Sequence, residues 1–212
     1  MEDIIAGIQG THQVEYIIQK SRFITTIQEI HSEDNAHIFI DTVKKQFWDA
    51  SHNCWAYQLG PMGQHQKSSD DGEPAGTAGR PMLEVLKKSH ITNTAVVVTR
   101  YFGGIKLGAS GLIRAYSHAV TLGVASAVIA DYIPHQQAVA SFDYTFIQVV
   151  DQLTMDQRVL ITDRAFSDIV NYSLLIPLET VPNFVLNLAN STQGTASLTL
   201  QQPTILPILR HK

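Results

Sequence analysis

Hydrophobic and polar positions alternate and recur along this chain in a way that predicts most of its elements. "VEYIIQKSRFITTIQEI" (14–30) is rich in β-branched and aromatic residues and breaks near Lys20–Ser21, which predicts a β-hairpin. "SEDNAHIFIDTVKKQF" (32–47) has Ile38, Phe39, Val43 and Phe47 at helical spacing behind Ser32 or Asp34 as N-cap, which predicts an amphipathic helix. "HNCWAYQLG" (52–60) reads as a strand, and "RPMLEVLKKSH" (80–90) as a short helix with Pro81 in its first turn. "TAVVVTRYFGG" (94–104) reads as a buried strand stopped by two glycines, and "LGASGLIRAYSHAVTLGVASAVI" (107–129) as a long, Ala-rich helix.

The proline and polar residues of "DYIPHQQ" (131–137) read as a linker. After it, strand 138–146, helix 147–157, strands 159–167 and 169–179, helix 181–191 and strand 195–203 follow one another. That order is βαββαβ, a ferredoxin-like signature. The expectation is an α+β protein of two domains, 1–132 and 138–205.

Composition fits this reading. The chain has 212 residues, 44% of them hydrophobic and 16% charged, enough apolar material for packed cores. No run of about 18 uncharged apolar residues suggests a membrane span. The N-terminus lacks the pattern of a signal peptide. The single cysteine, Cys54, excludes an internal disulfide. Together these point to the cytoplasm. Net charge is −4, which argues against a generic nucleic-acid coat. The distribution is uneven, however. Residues 80–130 hold six bases and one acid, Glu84, whereas 138–205 hold two bases and six acids.

Two small-residue loops carry the candidate chemistry: "DDGEPAGTAG" (70–79) and "GGIKLGASG" (103–111), each just before a predicted helix. Helix N-termini present unpaired N–H groups, and glycine lets a ligand approach the backbone. Gly76, Thr77 and Gly79 with Gly103, Gly104 and Gly108 are therefore candidates for an anion site. The second loop resembles a P-loop but has Ala109 where the lysine belongs, so nucleotide hydrolysis of that kind is unsupported. Arg80, Arg100, Lys106 and Arg114 could contact phosphate or carboxylate, and Tyr101, Phe102 and Tyr116 could offer faces to bases. The plainer alternative is a tight strand-to-helix turn. Asp70, Asp71 and Glu73 are the candidate catalytic carboxylates, against a plain solvated acidic turn. His52-x-Cys54 with His65 makes too sparse a set for zinc, and a buried cysteine is the better reading. No metal and no cofactor are expected.

At these residues the chain resembles the IMPACT family. "KSRFI" (20–24), "HNCWAY" (52–57), "SDDGEPAGTAGRPML" (69–83) and "VVVTRYFGGIKLGASGLIRAY" (96–116) carry the likeness, with ordinary variation at Lys106 and Ala109–Ser110. The resemblance implies a first domain like the second domain of a small-subunit ribosomal protein, an α/β sandwich with a helical layer on one sheet. It implies a C-terminal domain similar to one of elongation factor G. It also implies a link to translation. Eukaryotic members regulate translation during amino-acid starvation by competing for a partner of the starvation kinase. They do so with an additional N-terminal domain, for which this chain lacks room, so that partner does not carry over. For bacterial members the resemblance implies a role around nucleic acid or the ribosome.

Three readings follow. The first is a noncatalytic, translation-associated regulator that binds RNA, the ribosome or another phosphate-bearing partner in a basic groove. The second is an enzyme that acts on a phosphorylated small molecule with the loop carboxylates. The third is a protein-interaction module.

Overall fold

The computed structural model describes residues 5–210, which fall into two compact units. One runs up to Asp131 and includes the chain from Ile208; the other is Tyr132–Pro207.

The first unit is built on a five-stranded antiparallel sheet in the order β2 (Thr11–Ile18), β3 (Ser21–Glu29), β6 (Thr94–Tyr101), β4 (His52–Leu59) and β5 (His65–Ser69). Strands β2 (Thr11–Ile18) and β3 (Ser21–Glu29) form the expected hairpin. Gln19 and Lys20 both take positive φ, 45° and 63°, the geometry of a type I′ turn that matches strand twist. Helix α1 (Glu33–Gln46) is capped by Ser32, whose Oγ accepts the Asn35 N–H at 3.1 Å. Strand β4 is His52–Leu59, helix α2 Gly79–Lys88, strand β6 Thr94–Tyr101 and helix α3 Gly108–Ser126.

β6 lies in the middle of the sheet and is buried on both faces, which explains its unbroken run of Ala95, Val96, Val97 and Val98. Ala95 and Val97 pack with Phe39, Ile40 and Val43 of α1. Val96 and Val98 pack with Met82 and Leu86 of α2 and with Leu112, Tyr116 and Val120 of α3. Helices therefore cover both faces of the sheet. Two strands lacked a sequence signal: β1 (Ile5–Gln9) and β5 (His65–Ser69). β5 is the edge partner of β4 and is mostly exposed, so it carries no apolar alternation.

The second unit has the expected βαββαβ order. It comprises β7 (Val128–Phe142), α4 (Ile147–Asp156), β8 (Leu160–Phe166), β9 (Val170–Pro177), α5 (Val181–Ser191) and β10 (Ser197–Leu209). β10 and β9 both pair with β7, and β8 lies beyond β9, giving the ferredoxin-like order β10-β7-β9-β8. Phe142, Tyr172, Leu174, Phe184 and Leu188 fill its core. Residues 131–137 are not a linker. They lie within β7, and the unit boundary falls inside that strand. Pro134 lies outside the register with β9, which starts at His135 opposite Pro177. Among the described residues, no helix is long and apolar enough to cross a membrane.

Candidate functional site

The loop 70–79 is locked by its own acids. Asp70 Oδ1 accepts the N–H groups of Ala78 and Gly79 at 2.9 Å, and Oδ2 accepts that of Gly76 at 2.8 Å. The start of α2, expected from the sequence to be an anion site, is thus occupied by a carboxylate of the same chain. Partial burial works against the charge on Asp70, but the three backbone donors together outweigh it and hold the carboxyl below its ordinary range. Asp71 Oδ1 takes the Lys44 ammonium at 2.7 Å, and Oδ2 takes the Asn53 N–H at 2.7 Å. Desolvation again opposes ionisation, and Lys44 with the Asn53 N–H overcomes it, so this carboxyl is lowered too. Gly79 is needed for close approach: a Cβ there would stand 2.8 Å from the Ser69 backbone. Thr77 is buried and turns its hydroxyl back onto the Pro74 carbonyl at 2.7 Å.

Both lowered carboxyls stabilise the fold in their charged forms. Their contribution is complete above the unfolded value of about pH 4 and is lost as pH falls through the lower folded values. Asp70→Asn keeps one acceptor but turns an NH2 group toward a backbone donor. We expect it to cost about 1–2 kcal/mol near neutrality. It should also flatten the acid side of the stability profile. Thermal unfolding from about pH 3 to pH 7 checks this; a variant that loses stability in acid as steeply as wild type would refute it.

Glu73 behaves differently. Its side chain is buried, with Oε1 accepting from Arg100 at 2.6 Å and from the Tyr116 hydroxyl at 2.8 Å. Arg100 lies between the faces of Phe23 and Phe102, its guanidinium carbon 5.5 Å from each ring centroid. It also reaches Ser21 Oγ at 3.4 Å. Arg100 was expected to line an open basic groove. It is instead 5% exposed and tied to Glu73, because a guanidinium at the end of a central strand must be paired once it is covered. Cys54 Sγ donates to the Asp70 carbonyl at 2.9 Å, and burial pushes this thiol up to about 12, the profile of an inert buried cysteine. Among the described residues, no group of three His, Cys, Asp or Glu could hold a metal ion.

The glycine turn is different again. Gly103 is packed directly on the hairpin, since a Cβ there would run into the Lys20 carbonyl and the Ser21 nitrogen. Beyond it, Gly104 and Gly108 take positive φ, and a Cβ added at either would meet nothing within 4 Å. Lys106 and Arg114 are exposed, and neither forms an ion pair among the described residues. Arg80 is likewise exposed, at the start of α2. Tyr101 donates its hydroxyl to Asp49 at 2.8 Å, which raises its pKa, and the Arg22 guanidinium lies 5.7 Å from its ring centroid.

The structure thus brings Glu73 and Arg100 together and keeps Lys106 and Arg114 outside that cluster. Tyr116, read from the sequence as a face for a base, is instead fully buried and donates to Glu73, and Ser21 and His52, the latter weighed as a partial metal ligand, join the cluster as well. His52 sits opposite Arg100 in the β4–β6 register, and its Nε2 is 3.9 Å from Glu73 Oε2. The shared motif around "HNCWAY" was the available signal.

An α/β unit whose acidic glycine loop is pinned over the ends of β4 and β6, followed by a ferredoxin-like unit, defines a distinct two-domain class. A family model described as the Impact N-terminal domain matches residues 19–124, the segment holding every site residue above. The IMPACT family member YvyE of Bacillus subtilis is 42% identical over 167 residues, 79% of this chain and 76% of that protein. The IMPACT family member YigZ of Escherichia coli is 32% identical over 185 residues, covering 85% and 90% of the two chains. A solved structure described as the crystal structure of a hypothetical protein is similar with a TM-score of 0.60 and 31% identity, over 95% of this chain and 98% of that one. The chain belongs to the IMPACT family.

Proposed function

We propose that this protein is a noncatalytic, translation-associated regulator that binds RNA, on the ribosome or free, through the surface around the glycine turn. The observation that carries the reading is the pair of exposed cations without an ion pair, Lys106 and Arg114, on either side of the start of α3. Phe102 and Ile105 are exposed beside them, at 48% and 42%. Cations bind phosphate, and an aromatic ring at the same edge offers a base something to lie against. Gly104 and Gly108 leave open space beside the backbone of this turn. Arg100 supports the surface from beneath and is not itself a phosphate contact. Asp70 and Asp71 commit their oxygens to backbone N–H groups and Lys44, which favours a regulator over an enzyme built on loop carboxylates.

The test is co-sedimentation with ribosomes and with total RNA across a salt series. Wild type should bind at low salt and be released as salt rises, because phosphate contacts release counterions. Lys106→Ala/Arg114→Ala should weaken binding by about tenfold at moderate salt and reduce the salt slope by about one to two. Binding that ignores salt, or a double variant equal to wild type, would remove this surface from consideration.

A further inference from the structure

A strand at the end of a sheet exposes a row of unpaired N–H and C=O groups. Folded proteins guard such edges with lysine, proline, a bulge or a short length. β5 has five residues and carries Lys67. β8 has a bulge between Ile161 and Asp163, and the charges of Asp163 and Arg164. β10 carries Pro203 and Pro207. In β1, Ala6 is bridged to Ile91 and accepts the Thr92 N–H at 2.8 Å. β2, which ends the first unit's sheet, is the exception. Its eight residues, "THQVEYII", include no lysine or proline, and its register with β3 runs unbroken. Its one carboxylate, Glu15, is paired with Arg22 at 2.8 Å, and Ile17 is 65% exposed.

The hairpin turn fixes which backbone groups of β2 face outward. Ile18 and Ser21 flank a two-residue turn and so form a hydrogen-bonded pair, and such pairs alternate along an antiparallel ladder. Tyr16, Val14 and His12 therefore bond to β3. The same phase continues to Gly10, whose carbonyl accepts the Glu29 N–H at 3.2 Å. That leaves the N–H and C=O groups of Thr11, Gln13, Glu15 and Ile17 pointing away from the sheet, and all of these residues are exposed.

We propose that β2 pairs antiparallel with β2 of a second copy of this chain, across a two-fold axis at Val14, joining the two sheets into one. The strand is complementary to itself in a single register. Val14 lies opposite Val14 of the second copy, Gln13 opposite Glu15, and Thr11 opposite Ile17. Every outward-facing residue then exchanges hydrogen bonds with its opposite number. His12 falls opposite Tyr16. A shift of two residues one way sets Glu15 against Glu15 of the second copy, like charges face to face. The same shift the other way leaves Ile17 without a partner. This self-match selects a second copy over a foreign strand, and it closes the interface at a dimer because the same edge is used on both sides. The inference is independent of the RNA reading.

Sedimentation equilibrium of the full chain over a concentration series is the test. Wild type should pass reversibly from monomer to dimer. Gln13→Pro removes an outward N–H that β3 does not use, so the fold tolerates it. One hydrogen bond is lost per copy, and association should weaken by about tenfold. Gln13→Ala loses the 3.0 Å bond from Gln13 Nε2 to Thr26 Oγ1 but keeps the N–H, and should dimerise like wild type. Cysteine placement reads the register independently of the proline variant. Opposed residues of a non-hydrogen-bonded pair are close enough for a disulfide. Val14→Cys should therefore cross-link to its own copy in oxidised glutathione, and Gln13→Cys should not; the native Cys54 is buried. A chain that stays monomeric at every concentration would overturn the proposal. So would a dimer that a folded Gln13→Pro variant leaves intact, equal weakening by Gln13→Ala, or a Val14→Cys variant that does not cross-link. Open-ended polymers would overturn it too, since they require β2 to pair with a different edge.

Discussion

Replacing Glu73 with alanine should destabilise the first unit by about 3–5 kcal/mol, the usual cost of removing one partner from a buried ion pair. Arg100 is too well covered to recover its hydration, and Ser21 Oγ at 3.4 Å is a poor substitute for a carboxylate at 2.6 Å. The Tyr116 hydroxyl would lose its acceptor as well. The same reasoning predicts a rescue. Arg100→Met on the Glu73→Leu background removes both charges and should recover most of the loss, because well-packed apolar side chains can replace a buried pair at little cost. Urea unfolding followed by tryptophan fluorescence is a suitable measurement, since both tryptophans, Trp48 and Trp55, lie in the first unit. A Glu73→Ala midpoint equal to wild type, or a double variant no better than the single one, would contradict the account of this cluster as a paired and buried one.

Gly103→Ala should cost about 3 kcal/mol, at the upper end for overpacking by one methyl group. The added Cβ meets the Lys20 carbonyl and the Ser21 nitrogen, both backbone atoms, so no side chain can swing aside to admit it. The hairpin turn must move instead, and Ser21 carries hydrogen bonds from both Gly103 N–H and Arg100. Gly104→Ala gives the contrast. Its Cβ would meet nothing within 4 Å, and only the strain of φ +84° opposes it, about 1 kcal/mol. Thermal unfolding of the two variants side by side tests the ranking. If Gly104→Ala proved the more damaging, the close packing of turn on turn would not be what holds this corner together. Gly103→Ala should also weaken RNA binding, because it shifts the turn that presents Lys106.

Local chemistry was legible in the chain wherever neighbours in sequence decide the conformation. The β2–β3 hairpin, the Ser32 cap, the buried run of β6 and the βαββαβ order of the second unit all follow from β-rich segments, capping side chains and periodicity, although the hairpin turn falls at Gln19–Lys20, one residue before the expected Lys20–Ser21. The motifs that carry the family likeness are likewise a property of the sequence alone. What the chain could not disclose depends on partners far away in it. β5 is a strand because β4 lies beside it, not because "HQKSS" favours one. Residues 131–137 read as a linker because proline usually interrupts a ladder; Pro134 instead lies within β7, just before its register with β9 begins. Above all, charge in a sequence carries no burial. Arg100, Lys106 and Arg114 look alike as letters in the chain, yet only Arg100 lies under the loop, 27 residues in sequence from the glutamate that neutralises it. The tertiary fold therefore decided which cation is paired in the interior and which stay exposed, and set His52 beside Glu73, a neighbour that no spacing rule predicts.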